Sequence, residues 1–232
     1  MSLKHWQHTL CAIGLATCAA VPALATTTLT FDGITPGTIL FPGDSIVQQG
    51  YSFTAGDGVG VVDTAAAFGP GVGLDLAGPI GNVGPFYIGL NDSFVRMRAV
   101  DNSTFRIVGL DFGFVSALTN LFGPGDLPGF LIAAYEDVGG NVDFEAFSFG
   151  VADANGAFSF QSLGFAGVGG LTNALRSVDF FACTADANGD CAAINANFSQ
   201  FALDNVRIPE PGSLALTLAA LALTLGFSRR KA

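Results

Sequence analysis

Val108-Gly109-Leu110-Asp111-Phe112-Gly113-Phe114 alternates strictly between large apolar residues and small or acidic ones. In an extended chain, Val108, Leu110, Phe112 and Phe114 face one way and Gly109, Asp111 and Gly113 the other. That period of two marks a half-buried β-strand. The run lies within a longer β-prone stretch, 104–115, and similar short stretches flank it at 26–31, 46–53, 86–90, 93–100, 129–136, 142–149, 157–163, 177–182 and 200–208. Turn-forming clusters punctuate them, among them Phe41-Pro42-Gly43, Gly69-Pro70-Gly71, Gly123-Pro124-Gly125 and Gly139-Gly140-Asn141. Short strands at regular intervals with Gly/Pro turns predict an all-β domain, a β-sandwich or jelly roll. The 22 phenylalanines supply its core. No convincing helical period appears between 26 and 208, although 171–176 could form one helical turn. Residues 55–85, rich in Gly, Ala and Pro, read as a long loop.

Residues 1–25 have the parts of a secretory signal: Lys4 in a positive n-region, an apolar stretch from Leu10 to Val21, and Ala23-Leu24-Ala25 as an A-x-A cleavage site, which starts the mature chain at Thr26. Leu15-Ala16-Thr17-Cys18 has a faint likeness to a lipoprotein signal, but Thr17 suits lipidation of Cys18 poorly and the A-x-A site competes with it. At the other end, Pro209-Glu210-Pro211 precedes an uncharged apolar run from Leu214 to Phe227, then Arg229-Arg230-Lys231. The two prolines lack an N–H and fix φ, so the tripeptide is expected as an extended, accessible peptide. The apolar run is apolar all round, as a membrane helix is, though it is short for a bilayer core of about 20 residues. The closing cations favour the cytosolic side.

Between these ends the inventory is narrow. Both histidines, the single tryptophan and two of the four cysteines fall within 1–25, and Lys231 is the only lysine after them. From residue 26 to Glu210, Arg96, Arg98, Arg106, Arg176 and Arg207 stand against 19 acidic residues, a balance of −14. That charge disfavours nucleic acid and anionic membrane surfaces as partners and is compatible with divalent cations and neutral or cationic polymers. Ser-His-Asp, Cys-His and Ser-Lys catalysis lack their bases, and zinc chemistry lacks its ligands. Two-carboxylate glycoside hydrolysis would need only Glu136 or Glu145 with an Asp, yet nothing marks them out from solvated strand residues.

The C-terminal arrangement of Pro-Glu-Pro, apolar helix and basic end, with an N-terminal signal, resembles the PEP-CTERM sorting signal of Gram-negative bacteria, which membrane-embedded exosortases recognise. The segment Gln200-Phe201-Ala202-Leu203-Asp204-Asn205 before it is similar to the Gln-Phe-x-x-Asp subgroup of that family. The resemblance covers about a tenth of the chain. It implies a signal peptide over 1–25, a β-sandwich ectodomain over 26–206, and a sorting signal over 207–232 ending in a single hydrophobic helix. It also implies export by the Sec machinery, an inner-membrane-anchored precursor, processing near Pro209, Glu210 and Pro211, and a final place at the cell surface or in an exopolysaccharide matrix or biofilm.

Cys183 and Cys191 form an even pair in an exported chain, which points to a disulfide. Between them, Asp186, Asn188 and Asp190 place oxygen ligands at alternate positions, as in the first half of an EF-hand Ca²⁺ loop. The pattern then departs: Cys191 replaces the turn glycine and Asn197 stands where a bidentate Glu would be, so an Asx/Gly turn accounts for the same residues. Asp204, with Asn205, is a further candidate Ca²⁺ ligand on the last strand, the alternative being a sheet-edge cap. Asp153-Ala154-Asn155-Gly156 reads as a plain hairpin turn. Function is therefore expected to be non-catalytic, with no cofactor beyond Ca²⁺. The alternative is a Ca²⁺-assisted carbohydrate-binding module.

Overall fold

The computed structural model describes residues 26–71, 73–117, 122–165, 169–186, 188–191 and 199–210. The signal peptide expected over 1–25 and the hydrophobic helix expected after Pro211 lie outside them. The strands in chain order are β1 (Thr26–Leu29), β2 (Thr38–Leu40), β3 (Ser45–Gln48), β4 (Tyr51–Ala55) and β5 (Val59–Asp63). Next come β6 (Leu76–Ala77), β7 (Phe86–Leu90), β8 (Phe94–Ala99), β9 (Gly109–Phe114) and β10 (Ser116–Ala117). The last are β11 (Gly129–Asp137), β12 (Val142–Ser148), β13 (Gln161–Gly164), β14 (Leu175–Thr184) and β15 (Phe201–Pro209).

They form two antiparallel sheets, a β-sandwich. One sheet runs β13-β9-β15-β7-β5-β2, with β1 pairing the far end of β15; the other runs β12-β11-β14-β8-β4-β3. Strands β6 and β10 make a separate two-stranded pair. Among the described residues the helical content is two 3-10 turns, Ala65–Ala67 and Gly170–Thr172. None is long and apolar enough to cross a membrane.

The alternation of 108–114 predicts the packing. Leu110, Phe112 and Phe114 are at most 2% exposed in the main core between the sheets, beside Phe53, Val95, Met97, Leu131 and Phe180 from the facing sheet. Phenylalanine rings meet there edge-on, as in Phe114–Phe158 at 5.1 Å between centroids, a geometry that adds to their area burial. The opposite face of the first sheet is buried too. Val61, Phe86, Ile88 and Ala202 pack there under Phe68, Leu74, Leu76 and Phe160. Gly113 shows why that face carries small residues: a Cβ there would lie 2.6 Å from Pro79 Cβ.

Three expectations change. The segment 55–85 is not a plain loop, because Val59–Asp63 is β5, paired between β2 and β7. Its glycines hid it: Gly60 leaves room for the Tyr87 side chain. The run 46–53 is not one strand but a β3–β4 hairpin that turns at Gln49-Gly50, both at positive φ. The helical turn expected over 171–176 is a 3-10 turn at Gly170–Thr172, and β14 already starts at Leu175.

Candidate functional site

Asp204 lies near the centre of the first sheet, in register with Asp111 of β9. It follows Phe201, Ala202 and Leu203, whose alternation sends Leu203 into the main core and Ala202 to the other face. Asp204 shares the Ala202 side and is 3% exposed. Asn82 closes over it, donating from Nδ2 to Asp204 Oδ2 at 2.7 Å, while Gly84 N–H donates to Asn82 Oδ1 at 3.0 Å. The second carboxylate oxygen, Oδ1, has no hydrogen-bond partner. Asp32, in the turn after β1, borders the same space: a Cβ on Gly84 would run into its Oδ1. Burial raises the Asp204 pKa above the ordinary carboxylate range. The charges of Asp32 and Asp111 add to that rise, and the Asn82 and Asn205 N–H groups oppose it.

Asp111 is committed elsewhere. It accepts from Asn205 Nδ2 at 2.8 Å and lies 3.1 Å from Arg207 Nη1. Arg207 Nη2 donates to the Leu163 carbonyl at 2.6 Å and to Ser162 Oγ at 3.0 Å. Asn205 adopts φ 48°, where the β15–β9 register shifts, which turns its amide toward Asp111.

The 186–190 loop is a self-contained turn. Asp186 Oδ1 accepts from the N–H groups of Asn188 at 2.8 Å and Asp190 at 3.0 Å, and Asp186 N–H donates to the Asp190 carbonyl at 2.8 Å. These bonds hold the Asp186 carboxyl below its usual range. Cys183 and Cys191 are joined by a disulfide, with Cα atoms 5.6 Å apart. The four candidate Ca²⁺ ligands are therefore not one set: Asp186, Asn188 and Asp190 follow β14 of the second sheet, whereas Asp204 lies in the first. Among the described residues no three His, Cys, Asp or Glu side chains converge on a metal position.

Pro209 is the last residue of β15, opposite Thr26 of β1, so only Glu210 of the described tripeptide stands outside the sheet. A proline is tolerated there because the ladder ends with it. Pro211 lies outside the described residues. Glu145 is more than a solvated strand residue: it accepts from the N–H groups of Gly170 and Leu171 at the start of the second 3-10 turn. Glu136 lies 3.4 Å from Arg176. Asp153 makes the expected turn, with Gly156 N–H bonded to its carbonyl, but the turn links irregular segments rather than two strands.

A second feature has no counterpart in the sequence reading. A cavity of about 390 Å³ opens on the second sheet, lined by Asp57, Asn91, Asp92, Phe94, Ala134, Asp179 and Phe181. Asn91 and Asp92 both take positive φ in the β7–β8 turn. Asp179 is held in a two-pronged pair by Arg96, at 2.6 and 2.5 Å, and the guanidinium sits 5.7 Å from the Phe94 ring centroid. The lining comes from four separate segments, so no local motif could have announced it.

No family model and no curated protein sequence matches the chain. Among solved structures, it is similar to the crystal structure of a DUF4465 family protein from Bacteroides caccae. The two share 13% identity at a TM-score of 0.48, over 81% of this chain and 100% of that one.

Proposed function

We propose that this chain is an exported, non-catalytic surface protein. It is held at the inner membrane by its C-terminal segment, processed by an exosortase at Pro209-Glu210-Pro211, and then associated with exopolysaccharide at the cell surface or in the matrix. One observation supports the reading most. The compact unit runs from Thr26, directly after the A-x-A site, to Glu210, inside the Pro-Glu-Pro motif. Thr26 pairs with Pro209, so both ends of the sandwich leave from one pole. A body built this way hangs from a membrane by either end without unfolding. The Cys183–Cys191 disulfide suits an oxidising compartment. The test is Glu210→Ala: the variant accumulates as uncleaved precursor in the inner-membrane fraction. Normal processing and release of that variant would overturn the sorting assignment.

The cavity on the second sheet favours a second reading, a carbohydrate-binding module. Phe94 and Phe181 line it with aromatic carbon, and Asp57 and Asn91 bring oxygen atoms that accept from sugar hydroxyls. A glycan screen with the wild type and Phe181→Ala tests it. Binding that falls at least tenfold in the variant supports this reading, and a blank screen for the wild type removes it.

A further inference from the structure

The structure assigns a Ca²⁺ site to Asp204, Asp32 and Asn82, distinct from the 186–190 turn. The inference does not rest on the sorting reading. Asp204 is buried, and its Oδ1 makes no hydrogen bond of ordinary geometry. An orphaned buried carboxylate oxygen costs stability unless a cation or donor meets it. Among the described residues no side-chain cation pairs with Asp204. Between residues 26 and 210 there is no lysine or histidine, and Arg207, the arginine next along β15, is spent on Asp111, Ser162 and the Leu163 carbonyl.

Two other segments, far apart in sequence, come to Asp204: Asn82 donates to its Oδ2, and Asp32 stands beside Gly84, whose N–H bonds Asn82 Oδ1. Asp32 comes from the turn after β1, Asn82 from the strap that crosses the first sheet, and Asp204 from the last strand. Two carboxylates balance a divalent charge; Asn82 holds the Asp204 carboxylate through Nδ2, and its Oδ1, which accepts from Gly84 N–H, keeps a second lone pair for the ion or its water. Asp32 is exposed, so water completes the six to eight oxygen positions that Ca²⁺ takes. An all-oxygen, irregular, partly hydrated set suits Ca²⁺ better than Mg²⁺, which demands a near-ideal octahedron, or Zn²⁺, which prefers N and S ligands. Bound there, the ion ties the two ends of the sandwich to the strap between β6 and β7.

The test is calorimetric titration of CaCl₂ into the full chain, purified in detergent with its disulfide intact and stripped with EDTA. Thermal unfolding with and without Ca²⁺ accompanies it. The expected result is one Ca²⁺ per chain and a melting temperature that rises with Ca²⁺. Asp32→Asn and Asp204→Asn each weaken binding at least tenfold, and Asp186→Asn leaves it unchanged. Should Asp204→Asn fail to fold, Asp32→Asn decides, because that side chain is exposed and outside the core. No heat and no melting shift for the wild type, full affinity in Asp32→Asn, or a loss confined to Asp186→Asn would each overturn the assignment.

Discussion

Replacing Cys191 by Ser removes the cross-link to Cys183. Cys191 is exposed, and the partner it leaves behind, Cys183, is a buried thiol of the kind found in ordinary cores. The turn between them keeps its own bonds, from Asp186 to Asn188 and Asp190, so the native geometry survives. The cost is then mainly the loop-closure entropy returned to the unfolded chain. With a sequence separation of 8, the chain-entropy relation gives about 8 cal/mol/K, or about 2.5 kcal/mol at 25 °C. For a domain of this size, about 2–4 °C per kcal/mol translates that into a melting point lower by about 5–10 °C. The assay is thermal unfolding by circular dichroism, with urea titration as a check that m is unchanged. Dithiothreitol should lower the wild type to the same value and leave Cys191→Ser where it is. A shift below about 1 °C, or a further drop of the variant in reductant, would refute the reasoning.

Other outcomes follow from the packing and the turns. Gly89→Ala drives a Cβ into the fully buried Phe201 ring. It should cost about 1–3 kcal/mol by overpacking, read as a lower urea midpoint. Phe112→Ala opens the centre of the main core and should cost about 3–5 kcal/mol on the same scale. Turn N–H groups hold the carboxyls of Asp137 and Asp153 below the ordinary range: Asn141 is the chief cause for the first, Ala157 and Asn155 for the second. Because the folded pKa values are depressed, their contribution is present above the unfolded value of about 4 and is lost as pH falls through the folded values. Melting temperature should therefore drop below about pH 4, and Asp153→Asn should flatten that slope.

How much of this was legible depended on whether the signal was local. Residues 109–114 declared both strand and core face because one side of β9 packs on large side chains and the other on Pro79, while Val108, expected on the core face, is half-buried just before the strand. The disulfide was legible from an even pair of cysteines, and the Asp186 turn from Asx and Gly spacing. Strand β5 was not, because Val59-Gly60-Val61-Val62-Asp63 is buried on both faces and carries no clean alternation. Asp204 could be singled out, but its companions could not. Asn82 is 122 residues away in sequence, and Asp32 sits in an unremarkable Asp-Gly turn; only the pairing of β15 with β1 and β9 brings them together. The assumption that Pro209 stands clear of the sheet failed because a proline ends a ladder as readily as it breaks one.

The most direct test of the central claim is mass spectrometry of the C-terminus of the native protein, recovered from cell envelope and medium. The account predicts a chain ending near Pro211, free or carrying a modification. A chain still ending in Arg229-Arg230-Lys231-Ala232 would contradict it, leaving the tail a plain membrane anchor.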